Sequence, residues 1–451
     1  MEINQRHLKG AKQIIRKCLG LQPGQNLLIF ADETTNKLVM LLSEAALYLG
    51  VIPTIIFVPT SQQRNIPLHF DLSDLIQNAA RDARGILTCV SSAPECLPFR
   101  NRILESHWDA RTRIGHMPGA SSQILKLADV DFDQLVENCF QLSLAMARGK
   151  TIDFFSYSRD GEEHVLTAEL GAWQRIPVPS DGIIMDGVWG NVPSGETYIA
   201  PIEGTAQGSI IINGSIPNMI VGQKNEFVIN FENGHVVNIE PADNPTSRWL
   251  YKSQIEIAQQ KGDLNWSNLA EIGIGVNPGN SRLTGKMLFD EKCAGTAHIA
   301  LGDNMFMGGV VKSTIHCDMV VKNPTILINR RPILNRGKLV VLKADWFDNY
   351  REVDLLSSAL VHADQVSYSG TQVDLNNGQL KRMLRSEPGR IINYPVGEIE
   401  TSKQAFKVFG CLPSDNSWIS LIDLEQRTGL TSLALKQTLH VMNEFELIKF
   451  S

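Results

Sequence analysis

Three short apolar runs in the first ninety residues do most to limit what this chain can fold into. They read NLLIFA (26–31), PTIIFV (53–58) and GILTCV (85–90). None alternates polar with apolar positions, which is the pattern of a strand buried on both faces of a parallel sheet. Between the first two runs, ETTNKLVMLLSEAALYLG has the spacing of an amphipathic helix and ends at Gly50, a residue that stops helices readily. Strand, helix and strand in that order predict a right-handed βαβ unit. No G-x-G-x-x-G follows the first strand, so nothing indicates a dinucleotide. The stretch DVDFDQLVENCFQLSLAMARG (129–149) reads as the helix that closes an α/β domain over residues 1–150.

From residue 151 the texture changes. GSIIINGSI, NEFVINFENGHVVNIE and KNPTILINRRPIL alternate and are rich in β-branched residues. Asn233-Gly234 between two such runs is a strong hairpin signal. TSRWLYKSQIEIAQQKG (246–262) is a helical pattern among them. The expected architecture is an α/β N-terminal domain, a mostly antiparallel β (α+β) metal-binding domain over 151–400, and a small helix-turn-helix or winged-helix-like module over 401–451. The last module turns at Gly429, and its five Lys and Arg balance five Asp and Glu. A neutral module suits a protein partner better than DNA. A chain of 451 residues has room for two or three domains. The net charge of -6 argues against nucleic acid. No apolar run approaches the roughly 20 residues that span a bilayer. Seven cysteines, odd in number and without a CxxC pair, fit reduced thiols in the cytoplasm. The N-terminal stretch reads as an amphipathic helix rather than a signal peptide.

The chemistry gathers between residues 190 and 320. STIHCDMVV reads as a strand, so His316 and Asp318 share one face and Cys317 points to the other. GTAHIAL presents His298 on a second strand with glycines beside it. GNVPSGETYIAP places Glu196 just after a turn, and NLAEIGIGVNPGN sets Glu271 in a glycine-rich strand. Charged side chains in such apolar segments are expected only where they are paired or hold a metal. A single histidine in a strand is more often an ordinary hydrogen-bonded residue, and a glutamate after a turn is usually solvated. The H-x-D pair is more specific, because same-face geometry is built into it. Imidazole and carboxylate ligands together suit one fully ligated divalent cation, or two sharing a carboxylate.

Four segments taken in order resemble the thermophilic metallo-aminopeptidases of the aminopeptidase T type, related to leucyl aminopeptidases. NVPSGETYIAP matches a segment carrying the first glutamate ligand, here Glu196. AEIGIGVN carries the second, Glu271. DEKCAGTAHIALG carries His298, and the closing H-x-D carries His316 and Asp318. The match covers about 180–330, and the N-terminal half agrees only in its α/β character. The resemblance implies a metal-dependent hydrolase with a bound divalent metal, two ions of Zn, Co or Mn, acting on a small-molecule or peptide substrate. A homodimer without a nucleic-acid or membrane partner is expected. Glu203, seven residues beyond Glu196, is the candidate general acid/base, with a structural role as its alternative. Asp290 and Glu291 are expected to orient His298 or a loop.

Two departures stand out. The peptidases carry a tyrosine seven residues after the first histidine, where this chain has Met305. The spacing from His298 to His316 leans toward the related 2,5-dihydroxypyridine dioxygenases, which hold one iron and have histidine in place of Glu271. The alternatives to hydrolysis are therefore Fe(II) ring cleavage, with His298, His316 and Asp318 as the facial triad, and a non-catalytic scaffold on the same fold. His7, His69, His107, His235 and His440 read as surface residues, and His116 as part of a glycine-proline loop.

Overall fold

The computed structural model describes residues 5–58, 74–92 and 111–340, apart from short gaps at 172–174, 176, 185, 188, 223 and 280–281. It also describes Cys96, Phe99, Arg100 and Ile103. Beyond residue 340 it describes Gln365–Tyr368, Ile419–Ser420, Ile448–Phe450, Leu424, Gln426 and Leu439. The winged-helix reading of 401–451 lies almost wholly outside the described residues, as do His69, His107 and His440. What is described there is a three-stranded sheet in which Gln365–Tyr368 pairs with both Ile419–Ser420 and Ile448–Phe450.

The strands that matter to the site run in this order. β1 is Asn26–Ala31, β2 Ile52–Phe57, β3 Gly85–Cys89 and β4 Arg113–His116. β5 is Thr151–Tyr157, β6 Glu163–Glu169, β7 Val178–Ser180, β8 Trp189–Asn191 and β9 Glu196–Ile199. β10 is Gln207–Ile212, β11 Ser215–Ile216, β12 Met219–Ile220, β13 Phe227–Glu232 and β14 His235–Glu240. β15 is Leu269–Gly275, β16 Thr296–Gly302, β17 His316–Lys322, β18 Thr325–Ile328, β19 Arg331–Asn335 and β20 Lys338–Leu339.

The three apolar runs form the parallel strands expected of them, in the order β2-β1-β3-β4-β8. β1 and β3 are almost fully buried, and the helix Asn36–Tyr48 connects β1 to β2. Gly50 takes φ 73, which closes that connection. Two features correct the sequence reading. RIGH is the strand β4 rather than a loop, so His116 ends a strand. β8 returns from beyond residue 151 to pair in parallel with β4. Both runs are too short for periodicity to separate them from loop. His7 is also corrected: it is buried on the helix Gln5–Gln13, while His235 is exposed.

The rest is mostly antiparallel, as its alternation predicted. One sheet has the order β14-β13-β10-β6-β5-β18-β19-β20, the other β12-β11-β17-β16-β15-β9-β7. The Asn233-Gly234 hairpin joins β13 to β14, with φ 48 and 81 at the two turn residues. Phe154, Leu166, Ile210, Ile229 and Phe231 of the first sheet share one core with Ile272, Ile274, Ile299, Leu301, Cys317, Met319 and Val321 of the second. These last seven are alternate residues of β15, β16 and β17. The residues between them face away from that core, and they include the candidate ligands. Among the described residues no helix is long and apolar enough to cross a membrane.

Candidate metal centre

Register brings the five candidates to one face of four adjacent strands. Asp318, Ala300 and Glu271 stand in one cross-strand row, and Val320, His298, Gly273 and Tyr198 in the next. Gly302 opposes His316, and Gly275 opposes Glu196. Directly opposed residues of an antiparallel sheet point to the same side, so each row carries its neighbours' orientation. β15 and β16 are buried along their whole length. This face is therefore covered as well as the core face.

The glycines of EIGIGVN have a steric cause. A Cβ on Gly273 would lie 2.2 Å from both Cε1 and Nε2 of His298. The imidazole lies across the backbone of the neighbouring strand, and only hydrogen fits beneath it. A Cβ on Gly275 would meet the carbonyl oxygens of Cys293 and Glu291 at 2.4 and 2.6 Å. That is the turn that delivers Lys292.

Glu271 stands between the two imidazoles. Its Oε1 lies 2.9 Å from His298 Nε2, and its Oε2 lies 3.2 Å from His316 Nε2. His316 Nε2 is also 3.2 Å from Asp318 Oδ1. His316 Nδ1 donates to the carbonyl of Asp303 at 2.7 Å, which fixes the ring and leaves Nε2 toward the cluster. Glu271, His298 and Asp318 each offer a ligand atom within 4.8 Å of the others. Glu196 approaches from β9, and its Oε1 accepts from Lys292 Nζ at 2.8 Å. Lys292 is fully buried and also donates to Glu291. Glu196 Oε2 and His298 Nδ1 are buried without a hydrogen-bond partner.

Nitrogen and oxygen donors this close, with two buried polar atoms left without a partner, fit a divalent cation. Leaving such charges buried without compensation costs several kcal/mol each. The side chains compensate one another by proton position. Burial opposes ionisation of Glu271, but hydrogen bonds from His298 and His316 hold its carboxyl below the ordinary range. Burial also opposes the charged ring of His298, yet the Glu271 hydrogen bond and charge raise it to about 9. His316 is raised well above its ordinary value by Asp318 and Glu271, against its burial. Asp318 is lowered, the His316 charge and hydrogen bond outweighing burial. Burial raises Glu291 to about 8, with Lys292 opposing and Glu196 repelling.

Several neighbours take the structural one of their expected parts. Asp290 accepts from Thr284 N and Oγ1 and from Gly285 N, so of its two expected parts it orients a loop. Glu291 pairs with Lys292. Glu203 accepts from Asn304 Nδ2 and Val310 N, both at 2.9 Å, and from Arg175. Both its oxygens are engaged, which ties the 304–310 loop down and suits the structural alternative for Glu203 better than a proton shuttle. Cys317 packs in the apolar core, away from the site. Sequence reading missed Lys292 and Asp303. Lys292 stands within the matched segment DEKCAGTAHIALG, which gave it no role, and a backbone carbonyl leaves no signal.

Gly273→Ala should displace the His298 ring and lower metal affinity at least as much as the ~10–100-fold typical of disturbed ligand support. Metal content per chain after dialysis against a graded chelator series checks this; unchanged content would show that the ring does not bind. In the metal-free protein both imidazoles are held protonated. A histidine raised on folding stabilises fully below its unfolded value of 6.5 and loses that contribution as pH rises through about 9. The melting temperature of the chelated protein should therefore fall between pH 6.5 and 9, while the metal-loaded protein, its rings already deprotonated, should not show this fall.

Residues 182–331 match the family model for thermophilic metalloprotease (M29). No curated protein sequence matches the chain. Among solved structures, the fold is similar to 2,5-dihydroxypyridine dioxygenase from Pseudomonas putida KT2440, with a TM-score of 0.55 and 17% identity, covering 74% of this chain and 97% of that one. It is also similar to wild-type AmpT from Thermus thermophilus, with a TM-score of 0.52 and 18% identity, covering 75% of this chain and 99% of that one. At these identities the two structures share the fold alone, whereas residues 182–331, the stretch that holds all five candidate ligands, match the model for thermophilic metalloprotease (M29).

Proposed function

We propose that this chain is a metal-dependent hydrolase of the aminopeptidase type, with Glu196, Glu271, His298, His316 and Asp318 holding the metal. The observation that carries the reading is the convergence of Glu271, both imidazoles and Asp318 on one sheet face, within the stretch that matches the family. A divalent metal bound there supplies an activated water and polarises the scissile carbonyl. Glu271 offers one oxygen toward each histidine and would hold the metal together with them. Lys292 holds Glu196 by one oxygen and leaves the other free to bind. The Asp303 carbonyl keeps His316 in the tautomer whose Nε2 can ligate. Near-complete burial of Glu196, Glu271 and His298 keeps bulk water from competing for the site.

Mononuclear Fe(II) oxygen chemistry is the second reading. It is favoured by Met305, which begins the short turn Met305–Met307 where the peptidases are expected to have tyrosine. A thioether cannot donate a hydrogen bond to a developing oxyanion. Glu271 stands against this reading, because a fourth protein ligand beside the His298, His316 and Asp318 triad fills a position that oxygen chemistry needs open.

Elemental analysis of protein purified without chelator should find two Zn, Co or Mn ions per chain; one redox-active iron would favour the oxygenase. His316→Ala should lose the metal and activity yet still unfold cooperatively, because the sheet-to-sheet core does not involve this ring. Wild type should hydrolyse aminoacyl anilides weakly, and Met305→Tyr should raise turnover, up to the ~10²–10³ that one oxyanion donor is worth. Robust wild-type turnover on the same panel would show that another group supplies the proton.

A further inference from the structure

The carboxyl ends of parallel strands are where α/β sheets bind ligands. Here that end carries two groups that the metal centre does not use. His116 is the last residue of β4. Arg100 is only 8% exposed, and the ring of its neighbour Phe99 meets Phe30 near the end of β1, edge to face at 5.6 Å. Arg100 Nε and His116 Nε2 are both buried with no hydrogen-bond partner. Among the described residues no carboxylate pairs with Arg100.

Phe30, Thr88 and His116 stand in one cross-strand row of the parallel sheet, and Phe99, beside Arg100 in the chain, packs on the Phe30 end of that row. His116 is pushed down to about 3, chiefly by burial and next by the Arg100 charge; Asn191 opposes this through a hydrogen bond, and Lys292 adds to it. Asn191 pairs in register with His116 and lies five residues before Glu196 in the chain. The His116 ring is held edge-on to Trp189, with centroids 6.0 Å apart. The imidazole is thus joined through Asn191 to the segment that leads into Glu196. An unpaired buried guanidinium costs several kcal/mol and is not kept for packing. Its natural complement is a planar anion that takes two N–H donors.

We propose that Arg100 and His116 bind a carboxylate of the substrate beside the metal centre. The proposal rests on the hydrolase reading for its consequence, which is selection of short peptides that carry a free carboxylate close to the scissile bond. Arg100 supplies the charge and the paired donors. His116, positioned by Asn191 and Trp189, supplies a further ring nitrogen.

Three peptides test it: L-leucyl-L-alanine, L-leucyl-L-alaninamide, and L-leucyl-L-aspartic acid α-amide, which moves the only carboxylate to the side chain. Wild-type metal-loaded enzyme should prefer one carboxylate peptide over the alaninamide by roughly 10–100-fold in kcat/KM, the range for a charge-assisted hydrogen bond. Which one wins identifies the α-carboxylate or the side-chain carboxylate as the ligand. In Arg100→Met the preference should collapse toward 1, and Arg100→Lys should keep part of it. The same three ligands with a CH2–NH link in place of the peptide bond give binding by calorimetry without turnover. Arg100-dependent binding of a carboxylate isostere with no hydrolysis of any peptide would sink the hydrolase reading and leave the carboxylate site standing. Equal binding of the isosteres by wild type and Arg100→Met would overturn the proposal. So would a melting temperature lowered by several degrees in Arg100→Met with binding unaltered, since that marks Arg100 as structural.

Discussion

Glu271 between two imidazoles is the interaction on which the rest of the site depends. A carboxylate at 5% exposure would be protonated if burial acted alone. The contacts to His298 and His316 reverse that, and the same contacts hold both rings cationic while no metal is bound. The cluster is thus internally balanced, and a divalent cation that replaces the two ring protons meets donors already in place. The sheet supplies the rigidity: four neighbouring strands fix the spacing, and side-chain direction follows from the pleat.

That balance has a steric condition. His298 reaches Glu271 by lying across β15, and β15 admits it only because residue 273 has no side chain. The glycines of EIGIGVN are therefore part of the site, although none of them can bind a metal. Lys292 shows the same coupling from the other side. Its ammonium would be costly in so dry a place without Glu196 and Glu291, and those two carboxylates would repel without it.

Much of the fold was legible because its signals are local. Double-sided apolar runs marked the parallel strands, and Asn233-Gly234 marked its hairpin. The four motifs were found in order, and the spacing of His316 and Asp318 alone placed them on one face. Other features were not legible. β4 and β8 are too short to show a period, and β8 reaches its partner only after a long excursion of the chain. Asp303 acts through a backbone carbonyl, which no side-chain pattern records. The sequence left Glu203 open between a proton carrier and a structural residue, and only the contacts to Arg175, Asn304 and Val310 favour the second.

By itself the sequence determined which segments become strands, which side chains share a strand face, and which residue types are available to a metal. Those follow from the period of two along a strand and from the cost of burying charge among apolar neighbours. Only the tertiary structure decided that Asp318 stands in a row with Glu271, that Gly275 opposes Glu196, and that Lys292 closes on Glu196 from another segment. It also decided that His116, at the end of its strand, stands in register with Asn191 of the returning strand. The physical reason is that register and packing between segments far apart in the chain are settled by all their contacts together, and no local pattern encodes them.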